Sequence, residues 1–437
     1  MPRGKKVFRS PKGVYDILPD EQIYWEKVRQ TVKRICEIYG FSRIDTPIIE
    51  EAQLFARSVG LSTDVVEKEM YSFKTKGKDN LVLRPEFTAG VVRAYIEHGM
   101  FNMTQPVKLY YLGPCFRYEQ PQSGRNRQFY QFGFEIFGSQ EPILDAEVIQ
   151  VFFNICRELG LKNLIVHINS LGCSSCRPAY KKVLVNYYRP FIKKLCPDCQ
   201  RRFKSNPLRL LDCKQNKCQI FINNAPQIID YLCDSCHNHF KSVLEFLDEL
   251  KIPYILDSHL VRGLDYYTRT VFEIFFTGGE NKNEIEPVNK LLAIGGGGRF
   301  DNLVSLLGGR ETPAIGIGGG IERIVDLMKK SKPVKSLVKS FPQVFLVQLG
   351  DLGKKRSLSL FEQLWRSGIK VAESVSKDSI KSQLKLANKM NVKLALILGQ
   401  KEALDETIIV RDMRTGAQEV IPLKTIVREI KKRLKNK

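Results

Sequence analysis

Two long runs of alternating character, separated by a short loop, constrain this chain more than any other feature. VKLYYLGPCFRYE (107–119) and RQFYQFGFEIFG (127–138) flank QPQSGRN and read as a β-hairpin. Side chains alternate with period two along a strand, so Gln131, Gly133 and Glu135 share one face. Phe132, Phe134 and Ile136 share the other, which is aromatic and core-like. The polar face offers an amide, bare backbone and a carboxylate. Arg117 is expected to point the same way, where a guanidinium on a rigid strand can hold an anion beside a polar ligand. Arg125 and Arg127 around Gly124 make the loop a basic tip.

The hairpin sits in a chain of 437 residues, long enough for several cores. Trp25, Val28, Val32, Ile35 and Tyr39 fall on one helical face, with Asp20 to cap the start and Gly40 to end it. A strand interrupted at Pro47 follows, then a helix over 88–98, the hairpin, a helix over 143–160 and the strand LIVHIN. Residues 170–250 differ in composition from their flanks and look inserted. Strands resume at about 261–276 and 290–295, with helices from about 301 and over 319–330. The polar linker KKSKPVKSLVKSFP leads into alternating strands and helices, a small α/β unit with a largely parallel sheet.

Charge is uneven. Residues 331–437 hold 23 basic and 10 acidic side chains, and residues 177–217 hold 12 and 2. The remainder is near neutral, a pattern that points to a polyanion gripped at two places. No run reaches the ~18 apolar residues of a membrane span. MPRGKKVFRS has no apolar core, so no signal peptide is expected and the chain is expected in the cytoplasm.

Eight of eleven cysteines fall in close pairs: Cys173/Cys176, Cys196/Cys199 and Cys233/Cys236 at C-x2-C spacing, and Cys213/Cys218 at C-x4-C. In a cytoplasmic chain such pairs are expected to hold zinc, as one ion or two, with His237 or His239 as possible substitutes for a thiolate. Cys36, Cys115 and Cys156 stand alone in apolar surroundings and read as small core residues. AIGGGGRFDNL and PAIGIGGGIERIVDL read as glycine-rich strand–helix junctions, and neither fits a dinucleotide-binding fingerprint or a P-loop. Arg323 is expected on the first turn of the second helix, placed to meet a phosphate. RGLDYYT (262–268) sets an arginine and two tyrosines on an expected strand.

Together these segments resemble the histidyl-tRNA synthetases, of class II aminoacyl-tRNA synthetases, over nearly the whole chain. GFSRIDTPIIE is similar to the first class motif, FRYE…GRNRQFYQFGFEIFG to the second and GIGGGIERI to the third; LRPEFT and RGLDYYTRT are similar to segments of the histidine-specific enzymes. The resemblance implies an α+β catalytic domain on an antiparallel sheet at 1–335, interrupted by a cysteine-rich inserted domain at 170–250. A C-terminal α/β anticodon-binding domain is implied at 336–437. It also implies ATP-dependent attachment of L-histidine to tRNA(His) through histidyl-adenylate, with Mg2+, in a homodimer.

Residue by residue, Glu86, Phe87 and Thr88 match histidine-binding positions, as do Gln131, Glu135, Tyr266 and Tyr267. Arg117 and Arg262 match arginines on the α-phosphate of ATP, and Arg323 one near the γ-phosphate. The cysteine pairs lie outside the family's shared motifs. Two other readings compete. One is a synthetase-like regulatory subunit of histidine biosynthesis, although such relatives typically lack the C-terminal domain and have degenerate motifs. The other, a zinc-ribbon nucleic-acid-binding protein, leaves the polar hairpin face unexplained.

Overall fold

A computed structural model describes residues 8–61, 63–120, 125–278, 293–331, 342–374 and 379–435. The chain separates into two compact units, Met1–Pro333 and Val334–Lys437. The linker expected from the sequence falls mostly at 332–341, outside the described residues, as does Gly124 of the hairpin loop.

In the first unit, α1 (Gln22–Ile38) buries Trp25, Val28, Val32 and Ile35, as their spacing requires. Gly40, at φ +80°, turns the chain so that Phe41 N–H reaches Cys36 O at 2.9 Å. The start differs from expectation: Glu21 occupies the N-cap and no side chain caps the helix. β1 (Ser42–Arg43) and β2 (Ile49–Glu51) lie on either side of Pro47. β2, β3 (Tyr71–Lys74) and β4 (Asn80–Leu83) make a small antiparallel sheet beside α2 (Ala52–Val59), and β4 leads into α3 (Thr88–Glu97).

The hairpin strands are β5 (Val107–Phe116) and β6 (Gln128–Phe137). They join β7 (Leu164–Ser170), β8 (Tyr254–Leu256), β9 (Thr268–Phe276), β10 (Ala293–Arg299), β11 (Ala314–Gly320) and β1 in one sheet. Its order is β1-β5-β6-β11-β10-β9-β7-β8, antiparallel except for the outer pairs β1–β5 and β7–β8. α4 (Ile143–Glu158) covers one face, where its Phe152 stacks on Phe132 at 5.5 Å.

Both glycine-rich runs form strands, β10 and β11, and the second is also the expected strand–helix junction, since a helix follows Gly320 directly. On the α4 side, Gly295 and Gly319 let Phe152 pack against bare backbone, since a Cβ at either would overlap its ring. Only after β11 does a helix begin, α10 (Ile321–Ser331). α9 is a single turn, Leu303–Leu306.

Between β7 and β8 the chain makes α5 (Cys176–Tyr188), α6 (Pro197–Ser205), α7 (Asn216–Asn223) and α8 (Asp234–Glu249). Phe240, Val243 and Leu247 of α8 return to the core under α4. There Asp145 of α4 is fully buried between Arg299 Nε at 2.8 Å and His239 Nε2 at 3.2 Å. His239 is thus engaged by Asp145 rather than held for a metal, and His237 is exposed.

The second unit has its own sheet: β12 (Val344–Gln348), β13 (Val371–Glu373), β14 (Leu394–Leu398), β15 (Thr407–Asp412) and β16 (Gln418–Pro422). The order is β13-β12-β14-β15-β16. β12 pairs parallel with β13 and β14, but β15 and β16 add antiparallel, so the expected largely parallel sheet is mixed. The reason is local: β15 and β16 form a hairpin around Gly416, with no crossover helix between them. α11 (Gly350–Arg366), α12 (Ile380–Lys389), α13 (Gln400–Leu404) and α14 (Ile426–Lys435) cover both faces, making two apolar clusters. Among the described residues, no helix is long and apolar enough to cross a membrane.

Candidate active site

Directly paired residues in an antiparallel sheet project to the same face. The row Glu273, Gly296, Gly318, Gly133 and Tyr111 therefore runs across five strands, from β9 to β5, on the face away from α4. Three glycines in the middle leave a floor without side chains. The adjoining rows pair Gly316 with Glu135 and Gly320 with Gln131.

Each wall of this floor has its own support. The Oε1 of Glu135 accepts from Thr88 Oγ1 at 2.8 Å and Tyr111 OH at 3.0 Å. Its Oε2 is buried without a hydrogen-bond partner among the described residues, above Gly316, where any Cβ would collide with it. Burial pushes this carboxyl well above the usual carboxylate range, against the two hydrogen bonds. The sequence pattern was half right here: Gln131 and Glu135 do share a face, yet that face is as dry at Glu135 (1% exposed) as the aromatic one. α3 is what covers it.

LRPEFT forms the next wall. Glu86 caps α3, accepting from Thr88 N–H at 2.6 Å and Ala89 N–H at 2.9 Å. Burial raises its pKa despite those bonds and Arg117. Phe87 stacks on Tyr111 with centroids 4.2 Å apart, and the Arg84 guanidinium lies 3.9 Å over its other face. Arg84 also donates to Thr46 O and Pro114 O, pinning the segment to β5.

RGLDYY is an irregular turn that precedes β9, contrary to the expected strand. Its backbone partners lie elsewhere, for Asp265 N–H donates to Val59 O at 3.0 Å. This frees Arg262 to fold over Gly296, where it pairs with Glu273; a Cβ on that glycine would sit 2.5 Å from its Nη1. Burial lowers the Arg262 pKa, but Glu273 and Tyr267 outweigh it, so the guanidinium stays charged. Tyr266 and Tyr267 are buried beside it, ring centroids 4.6 Å apart.

Arg117 follows β5 and donates from Nε to Pro85 O at 2.9 Å, its guanidinium 5.4 Å from the Phe129 ring. Arg323, on the first turn of α10, donates to Ala293 O at 2.5 Å. Burial lowers its pKa, and the nearby charges of Arg125 and Arg117 lower it further. Arg127, just before the second hairpin strand, packs 3.9 Å over Tyr118. The contacts above link Glu86, Phe87, Thr88 and Glu135 around Tyr111, and set Arg262 beside Tyr266 and Tyr267. Tyr111 and Glu273 were missed; a signal existed in their alternation, opposite Gly133 and within TVFEIFF.

Glu322, beside Arg323, accepts from Tyr130 N–H at 2.8 Å. Burial pushes its carboxyl from 4.5 up to about 7, against that bond and one from Tyr15. Between these values the folded protein holds the proton more tightly than the unfolded chain. Stability should therefore fall as pH rises from about 4.5 to 7, by up to about 1.4 kcal/mol per pH unit. Urea unfolding of wild type and Glu322→Gln at pH 5 and pH 7.5 checks this. The variant should lack that component of the slope, and parallel pH profiles would contradict the account.

The eight paired cysteines make two groups, Cys173/Cys176/Cys233/Cys236 and Cys196/Cys199/Cys213/Cys218, with the sulfurs of each group within 4.8 Å of one another. The first joins both ends of the insertion; the second lies within it. Backbone N–H groups donate to sulfur in both: Cys233 to Cys176 Sγ at 3.1 Å and Cys199 to Cys196 Sγ at 3.4 Å. Burial raises the Cys173 thiol, but the N–H groups of Cys176 and Ser175 and neighbouring thiols outweigh it and hold it at about 6. Four convergent sulfurs with such donors suit one tetrahedral metal ion per group. Cys36, Cys115 and Cys156 are buried core residues, as expected.

A family model for histidyl-tRNA synthetase matches residues 13–174 and 222–324, and one for an anticodon binding domain matches 343–433. The histidine–tRNA ligase of Dehalococcoides mccartyi is 46% identical over 430 residues, 98% of this chain and 100% of the relative. That of Desulforamulus reducens is 44% identical over 423 residues, 97% and 99% respectively. The crystal structure of apo S. aureus histidyl-tRNA synthetase superposes with a TM-score of 0.78 at 36% identity, covering 97% of this chain and 99% of that one.

Proposed function

Because the chain belongs to the histidyl-tRNA synthetase family, we propose that the glycine-floored pocket is where histidine is joined to ATP. The chain attaches histidine to tRNA(His). The observation that supports this site is the buried Oε2 of Glu135, without a hydrogen-bond partner among the described residues, facing a floor bounded by Arg262. The Oε2 of this carboxyl group pairs with a ring nitrogen of the histidine imidazole. Glu86, Thr88 and Gln131 take the α-amino end, while Tyr266 and Tyr267 enclose the ring and Phe87 backs the pocket.

The histidine carboxylate is already an anion and needs no general base. It attacks the α-phosphorus, pyrophosphate leaves, and negative charge gathers on the α-phosphoryl oxygens. Arg117 and Arg262 meet that charge with planar forks, and Arg323 holds the γ-phosphate. ATP enters as its Mg2+ complex. The terminal ribose hydroxyl of tRNA then accepts the acyl group and AMP leaves. A histidine-dependent ATP–pyrophosphate exchange assay, followed by charging of tRNA(His), tests the whole reading; no exchange from folded protein would overturn it. The regulatory-subunit reading has no better support, since the anticodon-binding match is present.

Residues 1–335 carry this chemistry in our reading, and 336–437 read the anticodon. A fragment ending at residue 330 should retain some exchange and lose most charging, because the basic second unit has its own sheet and core. Full charging by that fragment would contradict the division. The two cysteine groups hold zinc, which keeps the helices of 170–250 folded. A homodimer belongs to the same reading: Ile48 and Ile49 of the first motif are 42% and 47% exposed, an apolar face for a second copy. The reaction is assigned to the cytoplasm, where charged tRNA is consumed.

A further inference from the structure

Between the insertion and the Arg262 turn lies a cavity of about 190 Å³. Its polar lining includes Arg177 and Lys181 of α5, Asn206 and Arg209 beyond α6, and Arg262 and Asp265 of the turn. Four of these are cations and one is an acid. Arg262 already has a carboxylate in Glu273. Arg177 donates to the carbonyls of Leu171, at 3.2 Å, and Tyr267, which hold the side chain without neutralising it.

Arg209 is the anomaly. It is 6% exposed, and its Nε and Nη1 are buried without a hydrogen-bond partner among the described residues. Its Nη2 comes no closer than 3.6 Å to Asp64, a carboxylate already engaged by Arg202 at 2.9 Å and Lys68 at 3.2 Å. A buried guanidinium with orphan N–H groups is costly unless an acceptor reaches them. Asp265 is near enough to feel the charge of Arg209, but among the described residues no hydrogen bond or ion pair joins them, and its Oδ1 accepts from Asn206 Nδ2 at 2.9 Å. Burial also raises its pKa despite Arg209, Lys181 and Arg177, which weakens it as a countercharge.

We propose that this cavity, which shares Arg262 and Tyr267 with the glycine-floored pocket, binds a tetrahedral oxyanion of the phosphate class held by Arg209, Lys181 and Arg177. The volume lies below the ~300–1,000 Å³ of pockets for larger organic ligands, which favours a single phosphate group. A free phosphate ion and a phosphate of an RNA strand offer the same chemistry. The bound group would tie the insertion to the turn that carries Arg262. The site does not depend on the roles proposed for Arg117 or Arg323.

Crystals of the full-length protein titrated with selenate, followed by anomalous scattering, locate the anion directly. A peak within hydrogen-bonding distance of Arg209 is expected in wild type. Lys181→Gln should raise the half-saturating selenate concentration about tenfold, the loss of one charge-assisted contact, and Arg209→Gln should abolish the peak. Lys181 is only half-buried, so its variant remains informative if Arg209→Gln misfolds. Selenate found elsewhere in the crystal but never in the cavity overturns the proposal, as does unchanged occupancy in Lys181→Gln. Competition by a short RNA distinguishes the sources: displacement of selenate marks RNA phosphate as the occupant, and retention marks the free ion.

Discussion

Arg262→Ala is expected to lower histidine-dependent ATP–pyrophosphate exchange by roughly 10²–10³-fold while the protein remains folded. That is the usual loss when one preorganised stabiliser of developing charge is removed, about 2.7–4 kcal/mol. The position justifies a value at the upper end. Arg262 is held over bare backbone at Gly296 by Glu273, so it needs no reorganisation when charge appears on phosphorus. Alanine would also leave Glu273 without its cation and add a repulsive carboxylate to the floor. Arg262→Ala/Glu273→Gln should therefore recover part, but not most, of the loss. Near wild-type exchange by the single variant would remove Arg262 from the chemistry.

Removing metal is expected to have an effect of similar scale on tRNA charging. Protein purified without a histidine tag should contain about two zinc ions per chain, one per four-cysteine group. Ligand binding and folding are coupled in such sites, with apparent zinc-binding energies of about 10–16 kcal/mol, so chelation under reducing conditions should unfold the insertion. The two groups should differ. Cys218→Ser, in the group within the insertion, should lose one ion and leave exchange largely intact. Cys233→Ser, in the group that joins the insertion's ends, should lose one ion and also raise the KM for histidine. Arg177 follows Cys176 directly and holds the carbonyl of Tyr267. Folded, active protein with only a small fraction of one zinc per chain would end the assignment.

Much of the site was legible because strand alternation is a property of the backbone. Gln131 and Glu135 had to share a face wherever the hairpin went, and the cysteine spacing alone singled out the pairs that the fold gathers into two four-sulfur groups. Local patterns failed where a segment's partners come from far along the chain. The glycines of β10 and β11 resemble a loop in composition, yet they are strands because Phe152 packs against one face and Arg262 and Glu135 against the other. RGLDYY reads as a strand by its tyrosines, but its hydrogen bonds go to Val59 and the insertion. His239 sits near cysteines in sequence, and Asp145 reaches it across 94 residues.

The sequence by itself determined the hairpin and its polar face, the cysteine pairs and the family motifs, since each rests on short-range periodicity or spacing. Only the tertiary structure decided which cysteine pairs join, that Glu135 is buried with one oxygen lacking a hydrogen-bond partner among the described residues, and that Glu273 holds Arg262. Those outcomes depend on strand order and on which surfaces exclude water. Neither is encoded in any single window of the chain, because burial and pairing are set jointly by residues that meet only once the sheet has closed.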